Sequence, residues 1–314
     1  MYVSTEKRVL LRVFLDPIDL LVNNWPTPLL KLRSLSKSGY DVWAKLEFYN
    51  PFSRSIKDRP VWNMIRDAME KGRVLKVLYE ATSGNVGIAM ASLSNIYGIK
   101  FRAYIPKPTP KTTEVLLKVL SAEVVSTDHQ TIDQDMISMV SKLADMEGAT
   151  NLNQYINDAN YEVHLKYTAR EIDEQLKAVG KKPDVIIAGI GTSGHIATLS
   201  TYFKDKYGDE VKVIGVQPSP SSSIPGIKRL ETRPKWFFKV KVDEVIDVSR
   251  DEAVRESISI ARSEGILIGL SSGAVTRAFK IIKDKYEPGT YVLIFPGDGF
   301  KYVEIFKEYI GGGP

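Results

Sequence analysis

From residue 41 onward, short apolar runs alternate with stretches of helical period. DVWAKLEF (41–48), VLKVLYEA (74–81), KFRAYIP (100–106) and AEVVST (122–127) read as strands. Helical patterns follow them: one opening at Lys57, then 85–97, the stretch through TEVLLKVLSA (113–122), and about 133–147. A second series starts with a helix around 158–179. It continues with strand DVIIAGI (184–190), a helix to about Tyr207, and strand VKVIGVQP (211–218). After it come a helix over 251–264, GILIG (265–269), a helix over 273–285, and strand YVLIFPGDG (291–299). This alternation predicts an α/β fold of open, mostly parallel sheets with helices on both faces. The two series meet near 150–160, which predicts two α/β units. The longest loop, SPSSSIPGIKRLETRPKW (219–236), is of a length that often carries function.

The first helix raises a chemical question. Val61, Met64, Ile65 and Ala68 form its apolar stripe, and Lys57, four residues before Val61, points the same way. A bare ammonium is costly to bury unless paired or neutralised. Condensing with an aldehyde to form an imine is one way to stop being an ammonium.

Composition narrows the chemistry. The 314 residues are 43% hydrophobic and 26% charged, enough for a large core split into two domains. There is no cysteine, so disulfides, thiolate nucleophiles and zinc–cysteine sites are excluded. The three histidines, His129, His164 and His195, are dispersed and predict no metal site. The net charge of +5 has no dense Lys/Arg block behind it. It fits a small anionic substrate better than nucleic acid. No apolar run reaches membrane-spanning length, and Met1–Asp16 does not read as a secretion signal, so a cytoplasmic protein is expected.

Three strand-to-helix loops carry unusual residues at the strand ends where open α/β sheets bind ligands. TSGNVG (Thr82–Gly87) opens a helix whose first amides attract anions, and Thr82, Ser83 and Asn85 suit a carboxylate. Alone, it reads better as an ordinary N-cap by Ser83 or Asn85. In GIGTSGH (Gly189–His195), Gly191 and Gly194 allow close approach of a phosphate, with Thr192 and Ser193 as donors. Gly189, Gly191 and Gly194 also match GxGxxG. The next strand ends in Gln217 rather than an acid, which disfavours a dinucleotide. In GLSSGA (Gly269–Ala274), Ser271 or Ser272 either caps a helix or faces a ligand. An inward lysine, a carboxylate loop, a phosphate loop and a buried hydroxyl together make the parts list for pyridoxal 5′-phosphate.

NPFSRSIKDR, TSGNVG, NQYINDAN, GIGTSGH and GLSSGA occur in the order found in the cysteine synthase group, which the chain resembles from WPTPLLKL (25–32) to PGDGFKY (296–302). This group comprises fold-type-II pyridoxal-phosphate enzymes related to the tryptophan synthase β-subunit. The likeness is strongest to its archaeal O-phosphoserine sulfhydrylase branch, through NQYINDANYEVH and SSIPGIKRLET. It implies a smaller unit over 41–155 with the substrate carboxylate loop. The larger unit, over 156–314 plus roughly 12–40, would carry the cofactor phosphate loop. It further implies that Lys57 holds the cofactor as an imine and serves as the catalytic base. Asn85 would bond the ring oxygen, and Thr82, Ser83 and Gln154 the substrate carboxylate. Gly191, Thr192, Ser193, Gly194 and His195 would cradle the phosphate, and Ser271, ahead of Ser272, would face the pyridine nitrogen. Two departures from the common pattern, Ser53-Arg54-Ser55 and Gly-Thr-Ser-Gly-His, match the archaeal variant.

The implied activity is a transferase reaction of cysteine biosynthesis. L-cysteine would form from O-phospho-L-serine and sulfide through an α-aminoacrylate, in a homodimer. A departing phosphate wants cations. Arg229 is the first choice and Lys228 the second, while Arg233 and Lys235 read as solvated and Arg54 as another candidate near the entrance. Competing activities are O-acetylserine sulfhydrylase, cystathionine β-synthase and serine or threonine dehydratase. A non-catalytic small-molecule binding protein is the reading from a different class, and Lys57 argues against it.

Overall fold

The computed structural model describes residues 12–310. Residues 1–11 of the stretch read as no secretion signal, and 311–314 of the larger unit, lie outside the described residues. In chain order the elements are α1 (Pro17–Val22), β1 (Leu29–Lys31), β2 (Asp41–Leu46), α2 (Asp58–Glu70), β3 (Val77–Ala81), α3 (Asn85–Ile96) and β4 (Lys100–Pro106). Then follow α4 (Lys111–Val119), β5 (Glu123–Thr127), α5 (Gln134–Glu147), α6 (Ala159–Val163), α7 (Ala169–Lys177), β6 (Val185–Gly189), α8 (Gly194–Tyr207) and β7 (Lys212–Pro218). The chain continues through β8 (Glu244–Val248), α9 (Arg250–Glu264), α10 (Leu270–Ile282), β9 (Thr290–Phe295) and α11 (Val303–Ile310). Among the described residues no helix is long and apolar enough to cross a membrane.

Two sheets organise these elements. The larger has the order β1-β2-β9-β6-β7-β8 and is parallel except for β1. The smaller is parallel, in the order β3-β4-β5. The expected start of the smaller unit at residue 41 is corrected here. β2 pairs with β9 from Asp41 opposite Thr290 to Leu46 opposite Phe295, so it belongs to the larger sheet. Periodicity identifies a strand but carries no information about a partner some 250 residues away. The other boundary is shared rather than sharp, because Ala159 and Val163 of α6 pack into the smaller unit's core.

Both sheets are covered on both faces. The stripe Val61, Met64, Ile65 and Ala68 is buried with Val86, Ala89, Met90 and Leu93 of α3 against Leu78, Phe101 and Ala103. On the opposite face Tyr79, Ala81 and Tyr104 meet Met136, Val140 and Ala144 of α5. In the larger unit Ala274, Val275 and Phe279 of α10 cover one face, and Ile172, Ile196 and Leu199 of α7 and α8 cover the other.

Several boundaries differ from the expected ones. The helix expected around 158–179 is broken by a π-helical stretch at His164–Thr168, a feature often found at functional sites. The helix expected from 273 begins at Leu270, because both serines lie inside its first turn. Strand β8 has no counterpart in the sequence reading, because EVIDV mixes charged and apolar residues over a short run.

Candidate active site

Lys57 is the residue immediately before α2. The loop leading to it is closed by Asp58, whose carboxylate accepts the Phe52 and Ser53 N–H groups at 2.8 and 2.9 Å. The next residue, Arg59, is fully buried. It donates from Nε to Glu47 Oε2 and from Nη2 to Glu171 Oε2, each at 2.7 Å, while Lys45 Nζ donates to the same Glu171 oxygen at 2.7 Å. This network fixes the start of α2 to β2 and α7, and with it the Lys57 backbone. The Lys57 ammonium has no hydrogen-bond or ion-pair partner among the described residues, and burial pushes its pKa down to about 8.

The Gly191–His195 loop comes near enough to this lysine for the Lys57 charge to act on His195. An ideal Cβ on Gly191 would lie 2.8 Å from the Gly226 carbonyl oxygen, and one on Gly194 would lie 2.7 Å from Asn160 Oδ1. Both positions are therefore closed to larger residues. Ser193 is left-handed at φ 71° although it is not glycine, and its Oγ accepts the Trp236 N–H at 3.2 Å. The first turn of α8 leaves its amides free for an anion. His195 is buried with its Nε2 unpartnered. Burial and then the Lys57 charge push its pKa down to about 3, so its ring is neutral. Its ring centroid lies 6.0 Å from that of His164, another buried imidazole held well below its usual range by burial. An orphaned buried nitrogen, a glycine cradle and an unpaired lysine fit a phosphorylated aldehyde such as pyridoxal phosphate.

The other two loops converge on the same place. At the start of α3 neither Ser83 nor Asn85 caps the helix. Thr82 Oγ1 takes that role, accepting the Gly87 N–H at 2.8 Å, and this leaves Ser83 exposed. Asn85 Nδ2 would lie 3.4 Å from a Cβ on Gly297, whose other neighbours are Ser55 and the Arg54 carbonyl. Neither serine caps α10. Ser272 Oγ donates to the Gly297 carbonyl at 3.4 Å, whereas Ser271 Oγ has no protein partner among the described residues and would lie 3.9 Å from a Cβ on Gly226. Gln154 is buried, with Nε2 donating to the Ala81 carbonyl at 3.2 Å.

The two candidate cations of the long loop point in different directions. Arg229 is committed to Glu231 at 2.9 Å, the Pro218 carbonyl at 2.6 Å and Asp247 at 3.4 Å, beside β8. Lys228 turns toward the smaller unit. It donates to the Ile132 carbonyl at 2.6 Å and lies 4.7 Å above the Tyr155 ring. Burial pushes its pKa down to about 8. The two adjacent cations are thus turned apart, Lys228 toward Ile132 and Tyr155 and Arg229 toward Glu231 and Asp247. Arg54, at φ 51°, keeps Nε on Asp298 at 3.0 Å. Lys235 is bonded to Asp158 at 2.7 Å, so it is not a merely solvated loop residue. Gln217 is held by Asp247 and the Leu230 N–H.

Three contributors, Asn160, Gly226 and Ile227, escaped the sequence reading. Asn160 Nδ2 donates to the Gln154 carbonyl at 2.8 Å and to Thr192 Oγ1 at 3.1 Å, joining two of the loops. Its place in NQYINDAN was the available signal. Gly226 and Ile227 pack on the phosphate loop from the long loop, a contact no local pattern announces.

The chain resembles known proteins over most of its length. The chain is 33% identical to a cysteine synthase of Aquifex aeolicus, over 90% of this chain and 89% of that protein. It is 31% identical to cysteine synthase B of Escherichia coli, over 90% of this chain and 94% of that protein. The crystal structure of O-ureido-L-serine synthase superposes with a TM-score of 0.88 at 24% identity, covering 96% of this chain and 98% of that one, which shows a shared fold. Residues 20–297 match the family described as pyridoxal-phosphate dependent enzyme, and the chain belongs to that family.

Proposed function

We propose that the protein is a cysteine synthase that uses pyridoxal phosphate to replace the β-substituent of an activated L-serine with sulfide, and that O-phospho-L-serine is its substrate. The observation that carries this reading is the unpaired Lys57 amine between a carboxylate-type loop and a phosphate-type loop. Lys57 would hold the cofactor, the Gly191–His195 loop its phosphate, Asn85 its ring oxygen and Ser271 its pyridine nitrogen. When bound, the cofactor supplies the electron sink that acidifies the substrate α-hydrogen.

The protein groups supply the rest. Thr82, Ser83 and Gln154 orient the substrate carboxylate, which sets the Cα–H bond toward Lys57. Burial favours the neutral form of Lys57, and as a free amine it accepts that proton. The β C–O bond breaks and phosphate leaves with the electron pair. Sulfide then adds at Cβ, and Lys57 returns the proton to Cα. Lys228 is the cation a β-phosphate meets first. Its ammonium has one carbonyl acceptor, and a dianion would supply better ones. Arg229 comes second, because its exposed pairs exchange cheaply. An acetyl ester offers no charge to reward either.

The test is the absorption of the purified holoenzyme with O-phosphoserine and, in parallel, with O-acetylserine, followed by cysteine formation on adding sulfide. A spectral change and cysteine with O-phosphoserine are expected. A response to O-acetylserine alone would keep the cysteine synthase and remove the phosphate argument. A protein that takes up no cofactor would overturn the proposal.

A further inference from the structure

Beneath the two substrate loops lies a buried carboxylate that no step above uses. Glu80 stands on β3, two residues before Thr82, and only 1% of its surface is exposed. Its Oε2 accepts Asn151 Nδ2 and the Asn153 N–H, and its Oε1 accepts the Gln154 N–H, all at 3.1 Å. Three donors converge on it, and no Lys or Arg pairs with it among the described residues. Burying an unpaired acid is expensive, so the group has to be justified by what it holds. It holds a strained turn. Asn153 is left-handed at φ 51°, and its Oδ1 accepts the Tyr155 N–H at 3.2 Å. The turn presents Gln154, and its next residue, Tyr155, is the floor under Lys228. From the other side the Gln154 carbonyl accepts Asn160 Nδ2, which also reaches Thr192 of the phosphate loop.

We propose that Glu80 is a positioning residue whose ionised carboxylate holds residues 153–155 in register with the Thr82–Gly87 loop and so sets the affinity of the site for an amino-acid carboxylate. The proposal rests on the reading that Gln154 meets the substrate. Two consecutive backbone N–H groups need an acceptor with two free oxygens. A neutral amide or acid satisfies one of them and presents a hydrogen to the other.

Protonation is within reach at neutral pH. Burial raises the Glu80 pKa to about 7 against the lowering effect of these hydrogen bonds. The groups facing it are few. Asn151, Asn153 and Gln154 are uncharged, and the buried Tyr155 phenol is pushed up by burial and by Glu80 itself. β4 places Ala103 opposite in register, with Arg102 already paired to Glu123 and Glu147. The next charges are Lys228 on the Tyr155 ring and Asp133 beyond it.

The experiment compares wild-type and Glu80→Gln holoenzyme, titrating each with L-alanine, which has no β-leaving group, and reading the shift in cofactor absorption. At about pH 8 the variant, saturated with cofactor, should bind L-alanine roughly tenfold more weakly. The wild-type advantage should shrink toward one as the pH falls to about 6, because protonated Glu80 resembles glutamine. A ratio that stays constant with pH, or stays at one throughout, would overturn the proposal while leaving the enzyme reading intact. A wild-type protein that never responds to amino acids would instead sink that reading. Should Glu80→Gln not fold, amide exchange of Asn153–Tyr155 in the wild type decides. Protection that falls between about pH 8 and about pH 6, after correction for intrinsic exchange, supports the role, and flat protection removes it.

Discussion

The Asn160 side-chain amide donates to Thr192 Oγ1 at 3.1 Å while also holding the Gln154 carbonyl at 2.8 Å. One buried residue therefore ties the loop proposed for the cofactor phosphate to the loop proposed for the substrate carboxylate. Replacing it with alanine leaves the carbonyl of the buried Gln154 without that donor. Asn160→Ala should weaken cofactor and amino-acid binding together, each by about tenfold, equivalent to about 1.4 kcal/mol. Cofactor titration followed by fluorescence, and amino-acid titration followed by absorption, check both effects. A loss confined to one ligand would show that the two loops are not coupled through this residue.

Lys57→Ala should separate chemistry from folding. The ammonium has no partner and is desolvated, so its removal costs the cofactor-free fold nothing. The Tm of cofactor-free protein should stay within about 2 °C of wild type or rise. Turnover should fall by at least about a thousandfold. A large drop in Tm would mean that the amine carries a structural contact.

Lys228 and Arg229 can be told apart by kinetics. Lys228→Ala should raise KM for O-phosphoserine about 10- to 100-fold and leave O-acetylserine turnover near its starting level, whereas Arg229→Ala should do much less. Since the Lys228 pKa is pushed down to about 8, its charge disappears as pH rises through that value. KM for O-phosphoserine in the wild type should rise over the same range. Equal effects of the two variants would restore Arg229 to the first position.

Stability should be nearly level from about pH 7 down to about pH 4.5 and fall steeply below. Glu80 and Asp58, with pKa values raised by burial to about 7 and about 6, bind protons in the folded state before the unfolded chain does. They add stability as pH falls through these values. His195 and His164, held low by burial, work in the opposite direction below their usual range, because the unfolded chain protonates first. Below about pH 4.5 Glu171 and Asp173 join the histidines. Burial opposes their charged forms, but Arg59 and Lys45 hold Glu171 near 2, and Lys206, Tyr207 and Lys177 hold Asp173 there. Their stabilisation is present above their unfolded values and lost as pH falls through about 2. Denaturant unfolding across this range checks the shape. A continuous decline from pH 7 would mean that the two raised acids do not offset the histidines.

The sequence by itself determined the parts that local chemistry dictates. Helical spacing grouped Val61, Met64, Ile65 and Ala68 on one face of α2, and that stripe is buried. Glycines at 191 and 194 announced a close approach, and their would-be Cβ atoms are blocked by Gly226 and Asn160. The alternation of strands and helices announced the α/β class. The tertiary structure decided everything that depends on partners far along the chain. β2 reads as a strand from its own residues, but only pairing with β9 assigns it to the larger sheet. Lys228 and Arg229 are adjacent and chemically alike, and only the fold turns one to Ile132 and the other to Glu231 and Asp247. Glu80 and Asn160 look ordinary in sequence, since a side chain's spacing along the chain carries no record of donors and acceptors that meet it only after folding. Periodicity reports which face of an element is buried. Which polar groups that burial brings together is set by packing between elements, and in this protein the loops around Thr82, Gln154 and Thr192 take their positions from it.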